Sequence, residues 1–174
     1  VCEDASTTYP DGSSEVITGN TSQTSTLMSV NGCDSIVVTN VTMDPLPDSG
    51  ISGAVSFCPS NAAIDLFNEL TGTPDATGTW SPSLASGTGV FDPAVDAAGT
   101  YTYTVTNPCG TISSDVIVTI NPVYALTEDF DLCTGTDYTF PDGSTQTNIT
   151  VSTSYVSMLA TSLGCDSIIT TNLT

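Results

Sequence analysis

The sequence predicts an all-β chain, and three observations predict it. Thr and Ser dominate the composition, with 31 and 22 copies in 174 residues. Apolar and hydroxylated residues alternate in short runs, as in Thr100-Tyr101-Thr102-Tyr103-Thr104-Val105-Thr106, where Tyr and Val share one face and Thr the other. That period of two is the pattern of a strand with one buried face. The third observation is that helical periodicity is missing, apart from a single candidate turn within 61–70.

Acidity alone does not argue for disorder here. The chain carries 19 Asp and Glu but is 39% hydrophobic and only 11% charged, with mean hydropathy +0.15. Disorder requires low hydrophobicity together with high charge, and only the sign imbalance is met. The imbalance is extreme: there is no Lys, Arg or His, and the formal net charge is −19. Average usage would place ~20 Lys and Arg in a chain of this length. Their absence excludes Ser-His-Asp and Cys-His nucleophile systems, Schiff-base chemistry and a P-loop lysine. It also removes every side chain that neutralises phosphate, so nucleic acid and anionic membrane surfaces are very poor partners, and neither nucleic-acid binding nor direct membrane insertion is expected.

No run of about 18 apolar residues suggests a transmembrane helix. No signal-peptide pattern opens the chain, so any such segment is expected outside it. Six cysteines, Cys2, Cys33, Cys58, Cys109, Cys133 and Cys165, are widely spaced. Zinc ligands come in close pairs, so a disulfide framework in an oxidising, extracellular setting is the better account.

Residues 1–42 and 132–174 are two copies of one unit, identical at 20 of 42 aligned positions with one gap near Thr147. The shared skeleton is Cys2, Pro10 to Ser13, Gly32 to Ile36 and Thr39 to Thr42. It recurs as Cys133, Pro141 to Ser144, Gly164 to Ile168 and Thr171 to Thr174. The copies stand about 132 residues apart with a different block between them. We expect a slice of a tandem array, divided into a small unit at 1–47, a sandwich block at 48–123 and a second small unit at 124–174. Repeat symmetry suggests disulfides Cys2–Cys33 and Cys133–Cys165, leaving Cys58–Cys109 for the central block. A unit of ~45 residues buries too little core to stand alone and needs such staples and its neighbours.

Tyr9-Pro10-Asp11-Gly12 and Phe140-Pro141-Asp142-Gly143 read as hairpin turns. Pro presets φ, Gly takes positive φ, and the aromatic before Pro is held extended as a core anchor. Residues 43–50, with Pro45 and Pro47, read as a linker.

The order Cys58, Trp80, Tyr101, Cys109 resembles the Cys–Trp–Tyr–Cys pattern of immunoglobulin-like sandwiches, and Asp96 to Tyr101 resembles a tyrosine corner. Gly78 to Pro82, Gly87 to Pro93 and Ala98 to Val105 resemble the PKD/Ig-like repeats of giant bacterial surface adhesins, in which Gly-Cys-Asp-Ser-Ile units are also found. That resemblance implies an all-β tandem array with an Ig-like sandwich flanked by small disulfide-stapled units. It implies a non-catalytic structural segment of a secreted, type IX-exported filament at the cell surface, serving adhesion, gliding or capture. Identical chains packed as a homo-oligomer or filament are the expected partners, with an unknown surface or glycan target.

Three uses of polar residues remain as candidates. Asp44, Asp48, Glu128, Asp129 and Asp131, at the block junctions, are candidate Ca²⁺ ligands, since hard cations take carboxylate and carbonyl oxygens. Asp34-Ser35-Ile36 and Asp166-Ser167-Ile168 resemble a bacterial O-glycosylation signal, which makes Ser35 and Ser167 candidate acceptors. Asn20, Asn40, Asn148 and Asn172 head N-glycosylation sequons. Paired carboxylates such as Glu3/Asp4 and Asp92/Asp96 lack the aromatic setting of a glycosidase site, so no enzyme is expected. The alternative function is a carbohydrate-binding module, which would need an exposed aromatic platform; Trp80, the single Trp, suits a core role better.

Overall fold

In the computed structural model, which describes Val1–Thr174, the chain is all-β, with fifteen strands and one short 3-10 turn. The strands are β1 (Ser6–Thr8), β2 (Ser14–Val16), β3 (Thr21–Met28), β4 (Asp34–Val41), β5 (Gly53–Phe57), β6 (Ile64–Asp65), β7 (Thr79–Ser81) and β8 (Val90–Phe91). They continue as β9 (Gly99–Asn107), β10 (Gly110–Ile120), β11 (Ala125–Phe130), β12 (Thr136–Thr139), β13 (Thr145–Ile149), β14 (Thr153–Ala160) and β15 (Asp166–Leu173). The turn Leu66–Glu69 falls inside the one stretch that hinted at helix.

Two compact units are each made of three segments that alternate along the chain. One comprises Val1–Gly53, Phe67–Ser83 and Tyr101–Val116; the other comprises Ala54–Leu66, Leu84–Thr100 and Ile117–Thr174. Each contains one copy of the repeat and part of the central block.

In the first copy, β1 pairs antiparallel with β2 and β3 with β4. Tyr9, Ile17 and Val41 form a small buried cluster, with Met43 packed against it. The second copy repeats this with β12 on β13 and β14 on β15, around Phe140, Ile149 and Leu173. Equivalent hydrogen bonds recur. Tyr9 N–H donates to Ser13 O at 2.8 Å, and Phe140 N–H to Ser144 O at 2.8 Å. Gly12 and Gly143 both sit at φ +85°, as the turn requires. The extra residue of the second copy is absorbed in β13, where the pairing with β12 slips between Thr136 and Tyr138, the local irregularity of a bulge.

The central block is built on a four-stranded sheet in the order β5-β10-β9-β7, with β6 and β8 as a separate pair. The alternation read from the sequence holds: Tyr101, Tyr103 and Val105 are buried along β9, while Thr102, Thr104 and Thr106 are not. A phenol tie also exists, made by Tyr103. Its Oη donates to Asp75 O at 2.6 Å and accepts from Gly78 N–H at 2.9 Å. Trp80 is half-buried against that ring at 5.0 Å.

The expected linker is clamped in place. Asp48 N–H donates to the Asp75 carboxylate at 3.0 Å, and Asp75 N–H to Asp48 O at 2.8 Å. Ser49 is 1% exposed, and its hydroxyl meets that of Ser114 at 2.9 Å. Composition identified the two prolines but gave no sign of this buried serine pair.

The disulfides differ from the expectation. The structure joins Cys2 to Cys109 and Cys58 to Cys165, and leaves Cys33 and Cys133 as exposed free thiols. Cys2–Cys33, Cys58–Cys109 and Cys133–Cys165 do not form, and strand length is the reason. Cys2 bridges to Asp44 beyond the base of the β3–β4 hairpin, whereas Cys33 lies at its tip. Seven strand steps, about 24 Å at ~3.4 Å each, separate these places, and a disulfide spans at most ~7 Å between Cα atoms. The same geometry separates Cys133 from Cys165 across the β14–β15 hairpin. Cys58 follows Phe57, whose carbonyl accepts from Asn121 N–H just past the end of β10, while Cys109 immediately precedes the start of β10.

Candidate functional site

Three of the candidate carboxylates, Asp48, Asp129 and Asp131, accept hydrogen bonds, each in its own place. The Asp48 side chain takes Gly50 N–H at 2.7 Å and the Thr73 hydroxyl at 3.0 Å. Asp129 takes the Asn172 amide at 2.8 Å, and Asp131 takes the Thr174 hydroxyl at 2.7 Å. Asp44 lies on the surface 3.9 Å from the Val1 amine. No three His, Cys, Asp or Glu side chains come together as a cation site. The structure thus brings no three of Asp44, Asp48, Glu128, Asp129 and Asp131 together.

Asp92 and Asp96 are brought together as loop tethers. Asp96 takes the N–H groups of Ala85 at 2.7 Å and Asp92 at 2.9 Å, and Asp92 takes that of Ala94 at 2.9 Å. Asp11 and Asp142 do the same in the two Pro-Asp-Gly-Ser turns. Each carboxylate takes the hydroxyl of the Ser two residues on at 2.6 Å and its N–H at 2.9 Å. Those bonds, the hydroxyl first, lower the pKa of both carboxyls below the ordinary 3.8.

The two candidate O-glycosylation serines differ in surroundings. Ser35 is exposed on β4, whereas Ser167 is half-buried and its hydroxyl accepts Tyr124 N–H at 3.1 Å. The difference comes from β11, which lies parallel to β15 along 125–130 and 168–173. Beside β4 there is only β3. Among the sequon residues, Asn20 takes Met43 N–H at 2.8 Å, Asn40 takes the Ser22 hydroxyl at 2.8 Å, and Asn172 donates to Asp129. Asn148 has φ +50°, in the left-handed region that Asn tolerates.

A cavity of about 210 Å³ opens at the base of the second copy, lined by Leu132, Thr134, Ile149, Val151, Leu173 and Thr174 among others. The lining is apolar and hydroxylated, with no carboxylate. In the first copy the corresponding cluster is covered by Met43. No helix is long and apolar enough to cross a membrane. Compared with known proteins, the chain matches no family model and no curated protein.

Proposed function

We propose that this chain is a structural repeat segment of a secreted filamentous surface adhesin, without catalytic activity. The observation that supports this most is the recurrence of one small β unit at both ends, with the same turns, hairpins and three-residue core in each copy. Conserving a scaffold while the loops carry no converging chemistry is what a spacer needs. Disulfides 107 residues apart, Cys2–Cys109 and Cys58–Cys165, support an extracellular setting. The large negative charge keeps identical segments soluble and apart from anionic surfaces.

The test is immunogold imaging of the producing cells with antibodies raised against the folded chain. The reading predicts labelled surface filaments, with gold spaced regularly along each. Label confined to the cytoplasm, or to compact particles without filaments, contradicts it.

A further inference from the structure

The free thiols, the bare edge of β4 and the cavity at the base of β15 share one explanation. By repeat position, Cys33 corresponds to Cys165 and Cys133 to Cys2. Both counterparts are bonded: Cys165, 1% exposed, to Cys58, and Cys2 to Cys109. In the first copy, therefore, the forward-facing cysteine is used and the other is free; in the second copy the reverse holds. The same asymmetry appears in the backbone. β15 carries β11 on its outer edge, but the equivalent edge of β4 is open, and Ile36 is 70% exposed against 39% for its counterpart Ile168. Val1 N–H donates to Thr42 O at 2.9 Å, as Leu132 N–H does to Thr174 O at 2.8 Å. The first residue of each copy thus enters alike, on the same edge of the last strand that β11 fills in the second copy. At the other end, Leu132, Ile149 and Leu173 line a cavity at the repeat position where Met43 packs on the first cluster.

We propose that these features are two docking sites for further copies of the central block, joined in sequence to this chain. The upstream block lays a strand like Ala125–Phe130 parallel on residues 36–41 and bonds its Cys58 counterpart to Cys33. The downstream block sets a Met43-like side chain into the cavity and bonds its Cys109 counterpart to Cys133. Each bond forms by oxidation of two thiols, losing two protons and two electrons to the disulfide-forming oxidant of the extracellular compartment. Every small unit is then bonded to the block before it and the block after it, and no thiol is left inside the array.

This rests on the tandem-array part of the proposed function and is tested separately from it. The full chain is extended in register by a copy of 43–131 before Val1 and a copy of 43–122 after Thr174, oxidised, and mapped by peptide mass spectrometry. Expected are Cys33 joined to the added upstream Cys58 and Cys133 joined to the added downstream Cys109, together with Cys2–Cys109 and Cys58–Cys165. Cys33 and Cys133 still alkylated, or joined to each other within or between chains, overturns the proposal. A C33S version of the extended chain tests the edge without the thiol. Amides of 36–41 are expected to exchange at least tenfold more slowly than in the 174-residue chain, and unchanged exchange overturns the strand pairing. Gold-labelled filaments with Cys33 free would leave the adhesin reading standing and defeat only this linkage.

Discussion

Tyr103 shows how much one hydroxyl carries. Its Oη joins Asp75 O and Gly78 N–H, and a Cβ added at Gly78 would lie 2.8 Å from Thr104 O and press on the Tyr103 ring. Removing the hydroxyl leaves a turn N–H and a carbonyl without their partner, which costs about 1–3 kcal/mol. Y103F is expected to lower stability by that amount in a denaturant titration, with the slope unchanged. A variant within 0.3 kcal/mol of the parent would show the tie to be dispensable. The sequence placed Tyr103 correctly on the buried face of β9 but gave no sign of its phenol tie. Alternation fixes which face a residue occupies and says nothing of which hydroxyl reaches a loop nearly thirty residues away.

The aspartates of the two Pro-Asp-Gly-Ser turns give a pH signature. Their folded pKa lies below the ordinary 3.8 because Ser13 and Ser144 hydrogen-bond the charged form. A depressed folded pKa contributes stability above the unfolded value, and that contribution is lost as pH falls through the folded pKa. The D11N/D142N variant should therefore melt below the parent at pH 6, with the gap closing as pH drops below 3.8. A gap that stays constant from pH 6 to pH 2 would argue against charged turn aspartates as the cause.

Among the elements, the small units stand on very little core. Ile17 and Ile149 are 0% and 7% exposed at equivalent places, each in a cluster of three buried side chains. Ile→Ala at a buried site costs about 2–5 kcal/mol. I17A is expected to speed amide exchange in β1 to β4, and I149A in β12 to β15, each by the corresponding factor. Exchange spread evenly over the chain in either variant would show that the copies do not open locally. These elements were the most legible part of the sequence, because Pro-Asp-Gly turns and alternating runs are local signals. The β3–β4 and β14–β15 hairpins, eight paired positions long, act as rulers within each copy. That length places the two cysteines of each copy at opposite ends, so the repeat symmetry that paired them was overridden by geometry. The parallel seat of β11 on β15 carries no local sequence pattern at all, since strand neighbours distant in the chain are chosen by packing.

At the scale of the whole molecule, the missing basic residues decide how the fold responds to salt. No side chain is basic, and the 19 acids repel one another. Screening weakens repulsion over a Debye length of ~10 Å at 0.1 M and ~3 Å at 1 M, so added salt has almost no attraction to remove. The melting temperature is expected to rise or hold as NaCl goes from low concentration to 1 M, at fixed pH. A clear fall would mean that attractive charge pairs hold the fold. The all-β class could be read from composition and alternation together, and the absence of basic, phosphate-neutralising side chains from composition alone. Acid count does not make oxygens converge: Asp48, Asp129 and Asp131 serve separate hydrogen bonds.

The central claim is that each copy of the repeat is bonded to the central block rather than to itself. Non-reducing peptide mapping of the oxidised chain, alkylated before digestion with an acid-specific protease, tests it most directly. The account predicts Cys2–Cys109 and Cys58–Cys165 with Cys33 and Cys133 alkylated. Recovery of Cys2–Cys33 and Cys133–Cys165 peptides, with neither thiol alkylated, would contradict it.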